Sequence, residues 1–193
     1  MFTERLCMSN KIKSLAKRIR VPLHHNHHNH HHHHHQKSKS NTKSIYCPCE
    51  DLCPSLAFEL PVINYRRVNG RSYKYVYGLN FYKRPFSIVK VNVNVNKDND
   101  NDNDNWIERS YDQEMECKCL PSEPVFVSRP NGECEDDGVL LVIVLTEKHD
   151  FLSILDARDL SEIARANISP DVKASLTFHG FFADDSKYKA LNE

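Results

Sequence analysis

Ten of the twelve histidines stand together in "HHNHHNHHHHHHQ", residues 24–36, so the first chemistry to consider is metal binding. Neutral imidazole is a good ligand for transition metals. A specific site, however, needs a few ligands held in one geometry by their neighbours, and a flexible homopolymeric run cannot provide that. Residues 24–44 have nothing to bury, so we predict a low-complexity loop that binds metal only adventitiously. A poly-His metal-binding protein is an alternative, which deletion of residues 24–35 would test through bound zinc or nickel.

The seven cysteines could indicate a zinc site, and an Asn/Asp-rich stretch could indicate a calcium site. Structural zinc sites usually pair two C-x₂₋₄-C motifs. Only Cys49 and Cys53 have that spacing, and no second pair fits. An EF-hand counted from Asp98 needs Gly at its sixth position and Glu at its twelfth, where Asn103 and Arg109 stand. We therefore predict free thiols and a solvated acidic turn.

Three ionisable residues in apolar surroundings are better candidates for a site. His179 lies in "SLTFHGFF", Glu59 in "FELP" and Glu123 in "PSEPVFV". A buried carboxylate is costly unless it is paired, and a metal-binding imidazole commonly donates its second ring N–H to a carboxylate. The three residues make sense as parts of one metal site, with Glu123 or Glu59 about 2.7–3.2 Å from His179. A single histidine among aromatics is nevertheless more often a core residue, and spacing alone does not decide between the two.

The composition excludes several classes of protein. Since 26 basic side chains balance 26 acidic ones, no net charge draws the whole chain to nucleic acid, although residues 1–45 carry nine Lys/Arg against one Glu. The longest apolar run, Val139–Leu145, is far short of the roughly 18 residues of a membrane helix. Residues 1–10 lack the apolar core of a signal peptide. We expect a cytoplasmic protein with reduced thiols.

From Leu56 onward, β-branched and aromatic runs predict the strands that must position the candidate residues. They are "LAFELPVINY", "YKYVYGLNF", "FSIVKVNVNV", "PVFV", "GVLLVIVL", "FLSILDA", "EIARANI" and "LTFHGFF". The alternation in "VKVNVNV" predicts a half-buried strand, and Asn69-Gly70 predicts a hairpin turn. Turn-like spacers separate the runs, which indicates an antiparallel meander such as part of a β-propeller. Residues 9–20 fit either a short basic helix or a strand at "RIRVPL".

Four phrases, in this order, resemble one enzyme family: "FELPVINYRRVNGRSYKYVYGLNF", "PSEPVFVSRPNGECEDDGVLLVIVL", "FLSILDARDLSEIARANI" and "TFHGFF". They are similar to the carotenoid cleavage oxygenases, in the animal branch of β-carotene oxygenases and retinoid isomerohydrolase. The resemblance runs from about Arg18 to Phe182. It implies an all-β fold, here the C-terminal portion of a seven-bladed β-propeller. Residues 1–23 would be a basic arm entering the fold, 24–44 the loop, and 45–193 the propeller portion, with an Asn/Asp turn at 97–105.

By the same resemblance, four histidines hold iron(II), and glutamates hydrogen-bond to them. His179 matches the last of these ligands, in the family's terminal His-Gly motif, and Glu59 and Glu123 match two of the glutamates. The other three histidines have no match here, and His149 in "TEKHDF" fits none.

The implied reaction is iron(II)-dependent oxidative cleavage of a carotenoid by O₂ to aldehyde or ketone products, for example β-carotene to retinal. No residue here is a credible general acid or base. A carotenoid or retinoid substrate also implies peripheral contact with a membrane. Since only one of the four ligands is present, we expect this chain alone to be inactive. A non-catalytic β-domain without a metal site is the alternative, and these motifs do not identify the double bond that is cleaved.

Overall fold

A computed structural model describes residues 17–19, 49–51, 56–82, 84–94, 105–172 and 174–183, and only the backbone of the first two ranges. The loop predicted at 24–44 lies outside the described residues, as does the turn predicted at 97–105 except for its last residue, Asn105. Strand β1 (Lys17–Ile19) pairs antiparallel with β2 (Cys49–Asp51), which favours the strand interpretation of "RIRVPL". Across the described ranges, no helix has the length and apolar character needed to cross a membrane.

The first blade is a four-stranded antiparallel meander in chain order. Its strands are β3 (Glu59–Val62), β4 (Tyr75–Asn80), β5 (Ser87–Asn92) and β6 (Trp106–Ser110). A short helix, α1 (Tyr65–Val68), lies between β3 and β4. The predicted turn at Asn69-Gly70 is present between these two antiparallel strands, but the connection is longer than a tight hairpin because it contains the helix. The Asn69-Gly70 pair ends this helix, with Gly70 at a φ of +70°, a conformation that suits glycine.

Close approach of β3 to β4 depends on Gly78. A Cβ there would lie 2.6 Å from the carbonyl oxygen of Glu59 and 2.8 Å from Cζ of Phe58. Since real Cβ atoms do not come so near, only glycine fits against the strand that carries Glu59.

The second blade is built around one long strand. Its elements are α2 (Asp112–Met115), β7 (Cys119–Pro121), β8 (Val125–Ser128), β9 (Gly138–Thr146), β10 (Phe151–Asp156) and β11 (Glu162–Asn167). Strands β9, β10 and β11 form a meander. Strands β7 and β8 pair with successive lengths of β9, so together they occupy the place of a first strand.

The core lies between the two blades. Tyr77 and Ile88 from the first blade pack with Leu140, Val142 and Phe151 from the second, all buried. The Tyr77 hydroxyl donates to the Ala157 carbonyl at 2.9 Å, and burial raises its pKa, so it stays protonated. The blades are thus joined by apolar packing and by hydrogen bonds and ion pairs around it.

Lys90 is a buried charge at this junction. Its Nζ lies 2.7 Å from Asp136 Oδ2 and 3.9 Å from the centre of the Tyr75 ring. The prediction that β5 is half-buried is therefore wrong, because residues 87–91 are buried on both faces. The charge of Lys90 is tolerated there because a carboxylate from the other blade pairs with it.

A second charged group joins the outer strands. Glu162 accepts from Arg165 at 2.6 Å and from Ser153 at 3.0 Å, and Arg109 of the first blade lies 3.3 Å from it. Burial opposes ionisation of Glu162, but the hydrogen bonds from Arg165 and Ser153 outweigh it and lower its pKa. The ionised carboxylate is therefore the form that stabilises this contact.

Candidate metal centre

His179 lies in a segment without regular secondary structure, residues 174–183. The prediction of a strand at "LTFHGFF" is therefore wrong. Its three phenylalanines are exposed, so the aromatic pattern that suggested a buried strand does not mark a core face here. The imidazole is also largely exposed, at 85% of its side-chain surface.

The carboxylate of Glu123 contacts this segment. Its Oε1 lies 3.3 Å from Nδ1 of His179, slightly beyond the expected 2.7–3.2 Å, and its Oε2 accepts from the backbone N–H of Gly180 at 2.9 Å. The Glu123 side chain is only 10% exposed. A carboxylate buried to this extent needs hydrogen-bond donors, and the His-Gly pair supplies two.

The geometry determines which ring nitrogen of His179 faces outward with a free lone pair. An ionised carboxylate only accepts hydrogen bonds, so the facing Nδ1 carries the proton. Nε2 then has its lone pair available, on a side chain that is 85% exposed. This is the arrangement of a metal-binding histidine that is oriented by a carboxylate. The residues present therefore fit one imidazole ligand of a metal site.

The amide of Gly180 is a contact that the sequence reasoning missed. A Cβ at this position would make a tight contact, 3.1 Å from Cγ2 of Val125 on β8, so a larger residue would have to displace Val125 by a few tenths of an ångström. The signal in the sequence was the dipeptide His-Gly itself, whose glycine permits this close approach.

Glu59 is not brought to His179 by the described residues. It begins β3, its backbone pairs with Leu79, and its side chain is exposed. Among the described residues, no hydrogen bond or ion pair joins it to His179. Like Glu123, it lies on the first-strand side of its blade, and its role at a metal remains a prediction.

His149 and the acidic residues before β9 lie in turns, where the acidic side chains pair with neighbouring parts of the fold. His149 is exposed in the turn between β9 and β10. In the turn before β9, Asp136 pairs with Lys90, Asp137 accepts from the Glu133 and Cys134 amides, and Glu135 accepts from the Tyr75 amide.

Cysteines do not form a metal site in the part of the chain that the structure describes. Free thiols occur at Cys117, Cys119 and Cys134. No group of three or more His, Cys, Asp or Glu side chains within those ranges is placed to hold a metal ion. His179 and Glu123 therefore form a contacting pair, and the described residues around them supply no complete coordination set.

Comparison with known proteins identifies the family. The sequence model described as RPE65, retinal pigment epithelial membrane protein, matches residues 3–184. This chain belongs to that family. The resemblance to carotenoid oxygenases inferred from the four motifs is thereby confirmed.

Curated relatives of the chain include two named β,β-carotene 15,15'-dioxygenases. That of Rattus norvegicus is 33% identical in an alignment of 188 residues, which covers 92% of this chain and 30% of that protein. That of Gallus gallus is 37% identical in an alignment of 200 residues, which covers 96% of this chain and 35% of that protein. The chain therefore spans about a third of the length of these relatives.

Solved structures agree on the fold. Cobalt-substituted Synechocystis apocarotenoid oxygenase superposes with a TM-score of 0.51 at 28% identity, over 64% of this chain and 25% of that one. A chimera of that enzyme with RPE65 gives 0.51 at 27% identity, with the same coverage. The predicted fold class, an all-β antiparallel meander forming part of a β-propeller, is confirmed.

Proposed function

We propose that this chain contributes His179 as an iron(II) ligand to a carotenoid-cleaving oxygenase, with Glu123 as the carboxylate that orients the imidazole. The observation that carries the proposal is the contact of one carboxylate with both His179 Nδ1 and Gly180 N–H. The family match supports the metal, because His-Gly is where the family's last ligand is expected. One solved relative is described as cobalt-substituted, which supports a metal site in that protein.

The chain's own residues would act by placing and tuning one ligand. The carboxylate fixes the Nδ1–H tautomer, aims Nε2 outward, and raises the basicity of the imidazole. Neutral imidazole ligands leave the charge of the ion uncompensated. Bound iron(II) would supply the activation of O₂ for oxidative cleavage of the polyene to two carbonyl products.

The surroundings of His179 suit an apolar substrate. Phe178, Phe181 and Phe182 are all exposed next to it. Exposed aromatic side chains in one short segment form an apolar surface of the kind that lines binding sites for apolar ligands. The relatives are named for β-carotene, and a carotenoid is the substrate class we propose.

The 193-residue chain alone should not cleave carotenoids. Its described residues offer no group of three or more ligands for a metal, and a single imidazole does not fix an ion in one geometry. With iron(II), β-carotene and air, it should form no more retinal or apocarotenal than free iron does. Product above that level, abolished by His179→Ala, would show that the chain assembles a complete site.

The activity itself is tested in a hybrid protein. Residues 17–183 would replace the matching segment of the Gallus gallus dioxygenase, whose remaining length supplies the rest of the enzyme. We expect the hybrid protein to cleave β-carotene, His179→Ala to abolish cleavage, and the exposed turn variant His149→Ala to leave it unchanged. A folded hybrid protein in which His179→Ala still cleaves would favour the alternative, a β-domain without a metal ligand.

A further inference from the structure

Glu123 lies at an irregularity in the second blade. The ladder of β7 with β9 ends at the pair Pro121 and Val144, and the ladder of β8 with β9 begins at Val125 and Leu141. The chain advances four residues from Pro121 to Val125, whereas β9 advances three from Val144 to Leu141. One extra residue is therefore inserted opposite β9, which is a β-bulge. Bulges redirect side chains and occur next to functional sites.

Ser122 closes the bulge with its side chain. Its backbone N–H donates to the Ile143 carbonyl at 2.8 Å, as in a regular ladder. The return bond is different, because the Ile143 N–H donates to the Ser122 hydroxyl oxygen at 3.1 Å. In a regular antiparallel pair that acceptor is a backbone carbonyl. The hydroxyl therefore takes the place of the carbonyl and leaves the following peptide free to turn.

The residues around Ser122 offer the ladder few hydrogen-bond donors. Pro121 and Pro124 have no N–H, so neither can donate to the ladder on its side of the bulge. Ser122 itself is 2% exposed, so water does not compete for its hydroxyl. The Ser122 hydroxyl thus holds the backbone in the turn from which the next side chain, Glu123, reaches His179 and Gly180.

We propose that Ser122 is a positioning residue for His179, acting through the bulge that aims Glu123. The purpose of this positioning rests on the proposed function. The effect of Ser122 on the contact between Glu123 and His179 can nevertheless be tested in the chain without metal. The test is ¹⁵N-histidine NMR of the 193-residue protein, with the His179 signal assigned from its loss in His179→Gln. The Nδ1 and Nε2 shifts report which nitrogen carries the proton.

The variants separate the hydroxyl from the size of the side chain. We expect the parent protein and Ser122→Thr to show His179 as the Nδ1–H tautomer. In Ser122→Ala and Ser122→Val, the ¹⁵N chemical shift of His179 Nδ1 should move to the value of a free imidazole, in which the two tautomers are averaged. The matched control is Ser153→Ala, which removes an equally buried hydroxyl from the same blade without contact to Glu123. It should keep the parent shift.

An unchanged Nδ1 shift in folded Ser122→Ala and Ser122→Val would overturn the proposal. If those variants do not fold, amide hydrogen exchange measured on the parent protein tests the proposal instead. A slowly exchanging Ile143 N–H together with a slowly exchanging Gly180 N–H would support the proposal, and a rapidly exchanging Ile143 N–H would overturn it. Neither readout needs iron, so failure of the hybrid protein to bind iron would refute the proposed function alone.

Discussion

Replacing Glu123 by Gln should invert the protonation of His179. The carboxylate accepts two hydrogen bonds, from Gly180 N–H and from His179 Nδ1. An amide of the same shape has one acceptor oxygen and one donor NH₂. Gly180 N–H can only donate, so the amide oxygen must face it. The NH₂ then faces His179 Nδ1, which becomes the acceptor, and the proton moves to Nε2, where it blocks metal binding.

The expected size of the effect follows from these two bonds. Loss of the partner that orients a metal-binding histidine typically costs about 10–100-fold in metal affinity, or about 1.4–2.7 kcal/mol. Folding stability should change less, by about 1 kcal/mol, because both hydrogen bonds survive in neutral form. Glu123→Gln should therefore separate metal affinity from stability.

The assay is anaerobic iron(II) titration of the hybrid protein beside its urea unfolding curve. The control is Glu108→Gln, whose carboxylate accepts from the Ser87 hydroxyl at 2.8 Å, a donor that can turn to suit an amide. Control and parent should bind iron alike. Iron affinity within twofold of the parent in folded Glu123→Gln would refute the assigned role of the carboxylate.

Three further predictions concern packing and charge. Gly180→Ala should lower iron affinity of the hybrid protein about tenfold by moving His179, and adding Val125→Ala should restore it; no recovery in the double variant would contradict the 3.1 Å contact. Lys90→Ala should destabilise the chain by about 3–5 kcal/mol in urea unfolding, because Asp136 is left unpaired; a loss below 1 kcal/mol would refute this. The lowered pKa of Glu162 stabilises the fold above the ordinary carboxyl pKa of about 4.5, and this is lost as the pH falls through the lower folded value. In Glu162→Gln, the free energy of unfolding should depend less on pH between about 5 and 3 than in the parent protein. The same pH dependence in both proteins would count against this prediction.

The sequence predicted the parts of the fold and site that depend on local pattern or on whole motifs. Alternating and β-branched runs identified most strands of both blades. The His-Gly motif pointed to His179, and the phrase "PSEPVFV" pointed to Glu123. The strand predicted at 176–182 was wrong because exposed aromatics mimic the composition of a buried strand.

The features that the sequence did not predict are set by distant partners. Lys90 looked like a solvent-facing residue of an alternating strand, but its partner Asp136 lies 46 residues away. The bulge at Glu123 depends on the register of β7 and β8 against β9, which no local pattern encodes. The contact of Gly180 with Glu123 spans 57 residues for the same reason.

The central claim is that His179 binds the metal, and the most direct measurement is the iron(II) dissociation constant of the hybrid protein under anaerobic conditions. We expect His179→Ala to abolish stoichiometric binding, while His149→Ala, with a histidine exposed in a turn, binds like the parent. Residues 24–35 would be deleted in all three proteins so that the histidine tract adds no background. Equal stoichiometric iron binding by folded His179→Ala would contradict the account.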